Sequence, residues 1–382
     1  MNFELTEEQK MIQDMARKFA EHEIKPVAAE LDRTHRHPAE IIAGMGELGL
    51  MGVTVPEEYG GAGMDYICYA LSTIEISKAC ASCGVIMSVC NSLYNFPVYA
   101  YGTEEQKRKY LRPAASGEAL GCYGLTEAGA GSDPAKMLTT AVLDGDEWVI
   151  NGVKKFITNG NVARYCVLAA VTDKSMGYKG ISSFVIDLEN TAGFRVGTVE
   201  DKLGITASGT AELVFEDARI PEENLLGKQG EGFKQMLTTL DGGRIGIASQ
   251  AIGIGRAVLE EAIEYSRSRE QFGRPISSFQ AIQWKLSDMA THLDAAELLT
   301  LRAAWLEQNH RGYEKEAAMA KLAASDTAMA AAVEGVQILG GYGFCRDYAM
   351  ERHMRDAKIT QIYEGTNEIM RLVIARNVLK HR

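Results

Sequence analysis

Asp144-Gly145-Asp146-Glu147-Trp148-Val149-Ile150-Asn151-Gly152-Val153-Lys154-Lys155-Phe156-Ile157-Thr158-Asn159-Gly160 is the stretch on which the fold turns. Its Asp-Gly and Asn-Gly pairs separate runs of β-branched and aromatic residues, the pattern of antiparallel hairpins. Short apolar runs of the same texture follow at Tyr165 to Val171, Ile181 to Ile186 and Leu213-Val214-Phe215. The block from residue 120 to 230 therefore predicts a compact β-barrel or sandwich.

Working outward, both flanks read as helical. Thr6 and Gln9 have capping-box spacing before Met11, Ile12, Met15 and Phe19 at helical period, and Pro26 ends or kinks that helix. A helix follows Pro38, a glycine-rich loop covers Val55 to Gly63, and two apolar helices occupy Tyr66 to Tyr101. Thr103 and Gln106 repeat the capping-box spacing. From Gly232 the helical period returns in Ala-, Leu-, Met- and Glu-rich segments that fit an antiparallel bundle, interrupted at Gly340-Gly341-Tyr342-Gly343. The fold class is α+β in the order α, β, α, with domains over 1–119, 120–230 and 231–382.

Composition narrows the function. The chain has 382 residues, 46% hydrophobic and 24% charged, as in an ordinary globular protein. A formal net charge of -11 with scattered basic residues argues against nucleic acid and against an anionic membrane surface. No stretch approaches the ~18 apolar residues of a membrane span. Met1-Asn2-Phe3-Glu4 shows no apolar signal region. The odd number of cysteines, seven without framework spacing, fits reduced thiols in a cytosolic protein. No metal site is expected: the histidines are dispersed, and Cys80-Ala81-Ser82-Cys83 has no second pair to complete a tetrahedron.

Polar groups sit at several breaks in the pattern, each with a functional and a plain reading. Tyr123-Gly124-Leu125-Thr126-Glu127-Ala128-Gly129-Ala130-Gly131-Ser132-Asp133 offers N–H groups and hydroxyls to a ring edge or a phosphate, or is an ordinary turn. It is neither a G-x-G-x-x-G fingerprint nor a P-loop. Phe156 and Thr158 lie on one strand face, to hold a flat heterocycle or to pack a core. Arg244 in Leu240-Asp241-Gly242-Gly243-Arg244 binds a phosphate or carboxylate, or forms a surface ion pair. Arg267 to Pro275 groups three arginines with Phe272, suited to a diphosphate and an adenine, or to a basic turn. Gln337-Ile338-Leu339-Gly340-Gly341 is a ligand contact or a helix end. In Gln361-Ile362-Tyr363-Glu364-Gly365-Thr366-Asn367-Glu368, a carboxylate stands at a glycine break among apolar neighbours. That setting raises a carboxyl pKa and suits a general base, unless the glycine merely caps a helix.

In this order and spacing, Tyr-Gly-Leu-Thr-Glu-x-Gly-x-Gly-Ser-Asp, Phe-Ile-Thr-Asn-Gly, Arg-x-Gln-Phe-Gly, Gln-Ile-Leu-Gly-Gly-x-Gly and Arg-Asp-Ala-Lys-Ile-x-x-Ile-Tyr-Glu-Gly-Thr resemble the acyl-CoA dehydrogenase family, from about Phe3 to Arg376. Asn91-Ser92-Leu93-Tyr94 and Leu240-Asp241-x-Gly-Arg-Ile-Gly-Ile-Ala look most like its short-chain, butyryl-CoA members. The resemblance implies an N-terminal helical domain, a middle β-barrel and a C-terminal four-helix bundle. It implies a homotetramer with non-covalent FAD, an acyl-CoA substrate and electron-transferring flavoprotein as electron acceptor.

By the same likeness Tyr123, Leu125, Thr126, Gly131, Ser132, Phe156, Ile157 and Thr158 contact the flavin half of FAD. Arg269, Gln271, Phe272, Gln280, Gln337, Gly340 and Gly341 hold its adenine and diphosphate half across a subunit interface, with Thr366 and Glu368 completing the contacts. Ser132, Asp241, Arg244, Tyr363 and Gly365 match positions that hold acyl-CoA, and Tyr94 and Gly243 shape the acyl chamber. Many relatives carry tryptophan where this chain has Phe156. Some place the base at the position of Gly243, where a glycine cannot serve, so the catalytic base falls to Glu364. The implied reaction is α,β-dehydrogenation of a short acyl-CoA to the 2-enoyl-CoA in a bacterial cytoplasm. Branched, alicyclic or dicarboxylic acyl-CoAs, the reverse enoyl-CoA reduction, and a binding scaffold without catalysis are the alternatives.

Overall fold

The first helix, Glu7–Phe19, starts where the Thr6 hydroxyl accepts the Gln9 N–H at 3.2 Å and the Gln9 side chain accepts the Thr6 N–H at 3.0 Å. This computed structural model describes residues 4–380, so the reading of Met1–Phe3 as free of an apolar signal lies outside the described residues. The second expected capping box, Thr103 with Gln106, also forms. Its Gln106 amide donates onward to the carbonyls of Glu223 and Leu225 at 2.7 and 3.0 Å, tying the N-terminal helices to the sheet that follows.

The helices of the two flanks bury one another. Tyr66–Ala79 is buried nearly all round, and it packs along Gly232–Ser268, the long helix that opens the C-terminal part. Close approach depends on glycine here: a Cβ on Gly253 would stand 2.5 Å from the Ile74 carbonyl oxygen. Gln280–Gln308, Glu314–Leu339, Met350–Thr360 and Asn367–Lys380 complete the C-terminal helices. One apolar core runs from Ile12 and Ile74 through Ile252 and Leu293 to Ala324. Among the described residues, no helix is long and apolar enough to cross a membrane.

Between the helical parts lie β1 (Gly121–Gly124), β2 (Thr140–Asp144), β3 (Glu147–Thr158), β4 (Tyr165–Val171), β5 (Ile181–Asp187), β6 (Phe194–Val199), β7 (Thr210–Pro221) and β8 (Leu225–Leu226). They form one sheet ordered β6-β7-β3-β2-β4-β5-β8, with β1 parallel to β4. The sheet has its own core, drawn from its own strands. Trp148 of β3 meets Phe184 of β5 at 5.2 Å between ring centroids, although β2 and β4 separate those strands in the sheet. The sheet therefore wraps around its core in the manner of a barrel.

The turn pairs divide. Asp144-Gly145 closes the β2–β3 hairpin, with Gly145 at φ 68°. Asn151-Gly152 does not turn the chain: it sits inside β3, where the register against β7 slips between Ile150 and Gly152. The Asn151 amide and Asp217 exchange hydrogen bonds of 3.0 and 2.8 Å across that bulge, so the strand continues. Asn159-Gly160 ends β3 without forming a hairpin, because β3 pairs with β2 and β7 and not with β4.

A buried ion pair pins the segment after β1 to β3. The Lys154 ammonium, with no exposed surface, lies 2.8 Å from Glu127 Oε1 and 3.1 Å from the Leu125 carbonyl oxygen. Burial opposes ionisation of Glu127, yet Lys154 and the N–H groups of Leu138 and Thr139, 2.6 and 2.9 Å away, hold its carboxyl below the usual range. Removing one partner strands a buried charge. Lys154→Met is expected to cost about 3–5 kcal/mol, visible as a lower midpoint of thermal unfolding by circular dichroism; an unchanged midpoint would contradict this account.

Candidate active site

After Thr360 the chain leaves its helix and breaks before Asn367. Glu364 has φ 52° and Gly365 φ 95°, both left-handed, and for a glutamate that backbone is strained. The strain turns the Glu364 carboxyl into a cavity of ≈ 200 Å³ between the sheet and the helices. Its Oε2 is out of reach of solvent and has no hydrogen-bond partner among the described residues. Burial pushes its pKa up to about 8, against the opposing pull of Lys321 and Arg244. Gly243 makes room for it: a Cβ there would stand 2.0 Å from Glu364 Oε2 and 2.8 Å from Leu93 Cδ2.

The sheet supplies the polar wall. Tyr123, Leu125 and Thr126 come from the end of β1 and the residues beyond it, Gly131 and Ser132 from the next loop, and Phe156, Ile157 and Thr158 from the end of β3. The register of β3 against β7 slips again between Lys154 and Ile157, and Phe156 takes φ 60° there. Its ring is left 57% exposed, which an apolar core-facing residue would not be. The side-chain hydroxyls of Thr126, Ser132 and Thr158 have no protein partner among the described residues, and a Cβ on Gly131 would meet nothing within 4 Å.

The helices supply the apolar wall and its charge. Val89, Leu93, Leu237, Leu240 and Ile369 line the cavity with Tyr363, Gly365 and Arg244. The Tyr363 hydroxyl donates to the Gln250 side chain. Arg244 is 5% exposed, its Nη1 is 2.5 Å from Asp241 Oδ1, and its Nε has no partner among the described residues. Burial pushes Asp241 up to about 6, with Arg244 opposing. Asp241 belongs to the site through Arg244 and does not itself line the cavity.

Three family models match the chain in tandem: "Acyl-CoA dehydrogenase, N-terminal domain" over residues 6–118, "middle domain" over 122–218 and "C-terminal domain" over 230–379. The chain belongs to the acyl-CoA dehydrogenase family. It is 53% identical over 377 residues to the mitochondrial short-chain specific acyl-CoA dehydrogenase of Bos taurus, covering 99% of this chain and 91% of that protein. Among solved structures, a chain described under "Electron transferring flavoprotein of Acidaminococcus fermentans: Towards a mechanism of flavin-based electron bifurcation" is similar with a TM-score of 0.98 and 52% identity over 100% of both chains. Butyryl-CoA dehydrogenase from Megasphaera elsdenii is similar with a TM-score of 0.97 and 44% identity, covering 99% of this chain and 100% of that one.

Most of the remaining expected residues of this acyl-CoA dehydrogenase family member form a second, exposed group away from the cavity. Arg269, Gln271 and Phe272 lie on the small hairpin of β9 (Glu270–Gln271) and β10 (Arg274–Pro275), and Gln280 opens the next helix. The Arg269 guanidinium stands 5.8 Å from the Tyr342 ring centre, which brings the hairpin beside the turn at Gly340 and Gly341 that follows Gln337. Phe272 is 94% exposed. Thr366 and Glu368 start the last helix, next to the cavity-lining Gly365 and Ile369.

Tyr94 does not shape the cavity. It is fully buried against β1, its hydroxyl donates to the Tyr110 carbonyl at 3.1 Å, and its neighbour Leu93 faces the cavity instead. Sequence reading also passed over Lys321, Val89 and Leu237. Lys321 had a signal: a lone lysine on the stripe Ala317, Ala320, Ala324 and Ala328 is a charge on an apolar face.

A carboxyl held near 8 when folded, against an ordinary value near 4.5, binds its proton more tightly in the native state. Its contribution to stability is therefore present at low pH and is lost as pH rises from ~4.5 to ~8. Glu364→Gln removes that loss. The melting temperature of the variant relative to wild type should rise between about pH 5 and about pH 8 and then level off, measured by scanning calorimetry.

Proposed function

We propose that the chain catalyses FAD-dependent α,β-dehydrogenation of a short-chain acyl-CoA to the 2-enoyl-CoA, with Glu364 as the base. The observation that carries the reading is Glu364 Oε2, sealed from solvent and without a partner among the described residues, in a cavity that also holds uncommitted hydroxyls and an exposed aromatic. That wall fits a flavin: Phe156 gives an apolar face, Thr126, Ser132 and Thr158 have uncommitted hydroxyls, and Gly131 leaves open space. FAD, when bound, supplies the acceptor for the β-hydrogen as hydride.

The chain's own residues do the rest. Glu364 Oε2 takes the α-proton, which the thioester carbonyl acidifies. The main-chain N–H of Glu364 has no acceptor within the described residues, so it is available to the thioester oxygen, where it stabilises enolate-like charge. Tyr363, Leu93 and Leu240 exclude water, which keeps the carboxyl basic enough for the task. Arg244, held by Asp241 and with a free Nε, offers a donor to the acyl-CoA together with Ser132. Among the described residues the helix wall at Val89 and Leu93 carries no cation, which favours an acyl group without a second carboxylate.

The exposed group around Arg269, Gln271, Phe272, Gln280, Gln337 and Gly341 suits the adenine and diphosphate half of an FAD whose flavin lies in another subunit of a homotetramer. Electron-transferring flavoprotein is the electron acceptor in this reading, and the cytoplasm its location. The domains divide at 119/120 and 230/231.

Glu364→Gln should keep bound FAD and lose flavin reduction by butyryl-CoA by about 10²–10⁴-fold. Bleaching of the flavin, followed by stopped-flow absorbance, tests this, and near-normal bleaching would remove Glu364 from the mechanism. In wild type the reduction rate should climb with pH and level off above about 8, since only the ionised carboxylate accepts the proton. Repeating the assay across straight, branched, alicyclic and dicarboxylic acyl-CoAs identifies the acyl group.

A further inference from the structure

A lysine with no exposed surface sits against the break that carries Glu364. Lys321 lies on Glu314–Leu339 among buried alanines, and its Nζ donates to the Gly365 carbonyl at 2.8 Å and to Asn367 Oδ1 at 2.9 Å. Asn367 is itself held: its Oδ1 accepts from the Ser325 hydroxyl at 3.1 Å, and its Nδ2 donates to Ser325 at 2.9 Å and to Asp326 Oδ1 at 2.7 Å. Asp326 also takes the Gln361 amide at 2.7 Å and Arg371 at 3.1 Å. One helix thus clamps the break from Gln361 to Asn367, and Lys321 grips it at the residue following Glu364.

A neutral donor would satisfy those two oxygens without the cost of burying an ammonium ion. Glu364 is faced by Lys321 from Glu314–Leu339, by Arg244 from Gly232–Ser268 and by the phenols of Tyr69, Tyr123 and Tyr363. Lys321 in turn is faced by Glu364, Arg244, Asp326 and Glu368. Arg244 already has Asp241 as its counter-charge. Burial pulls Lys321 down to about 7, with Glu364 the largest influence opposing that fall.

We propose that Lys321 is the positioning residue of the base: through the Gly365 carbonyl and Asn367 it holds the Glu364–Gly365 break in its left-handed form. The inference rests on the reading of Glu364 as the base.

Lys321→Met keeps the alkyl stem and removes both the donors and the charge. In the FAD-loaded full-length protein, flavin reduction by butyryl-CoA should slow by about 100-fold, while KM stays within about threefold of wild type. The ionisation of Glu364 is read without substrate, from the infrared carbonyl stretch of its protonated carboxyl. Subtracting Glu364→Gln spectra removes Asp241 and Glu307, whose carboxyls burial also pushes up. The Glu364 midpoint should stay at its wild-type pH in Lys321→Met, because Lys321, at about 7, has lost its charge before Glu364 titrates at about 8. A slower rate with a midpoint moved to higher pH would show Lys321 acting by its charge and overturn the positioning role, and a rate near that of wild type would overturn it outright.

Should the methionine variant not fold, Asn367→Ala carries the test. It removes one acceptor, should slow reduction by about 10-fold and should leave the midpoint in place; full wild-type speed there overturns the positioning role. If butyryl-CoA does not bleach even the wild-type flavin, the functional reading has failed; if it bleaches wild type and Lys321→Met equally fast, the positioning role alone has failed.

Discussion

A carboxyl whose Oε2 is sealed from water and has no hydrogen-bond partner among the described residues governs this structure. Such a group is costly to ionise, and here the cost is met by arrangement: a left-handed break aims it into a cavity, a glycine on the facing helix leaves it room, and two cations stand near without bonding it. Each condition comes from a different part of the chain. Gly243 lies on the long helix, Lys321 on its neighbour, and Leu93 in the N-terminal helices. The single core shared by both helical flanks is what brings them within a few ångströms of one another.

The two walls of the cavity are stiffened in the same way. On the sheet side a buried lysine, Lys154, bonds the carbonyl of Leu125 and pairs with Glu127; on the helix side another, Lys321, bonds the carbonyl of Gly365 and Asn367. Both lysines have no exposed surface. An ammonium ion in such a place must find oxygen partners, so each fixes an irregular segment that backbone pairing alone would leave loose. Irregular segments so held are suited to presenting uncommitted N–H groups and hydroxyls to a ligand.

Local signals were legible because their causes are local. Both capping boxes form where the Thr-x-x-Gln spacing put them, and the hairpin at Asp144-Gly145 closes as its turn residues require. Asn151-Gly152 has the same local chemistry and does not turn, because Asp217 on β7 bonds the asparagine and keeps the strand running through a bulge. Tyr94 and Leu93 are adjacent in a family-like motif, yet packing against Gly121 buries the tyrosine and leaves the leucine on the cavity. Nothing within that motif distinguishes them.

By itself the sequence determined the α, β, α order, the family motifs and the carboxylate at a glycine break, since periodicity, turn chemistry and motif spacing are written along the chain. Tertiary structure decided what that carboxylate is. Its raised pKa, the need for Gly243 and the grip of Lys321 arise from burial and from neighbours more than forty residues away, and desolvation has no local signature.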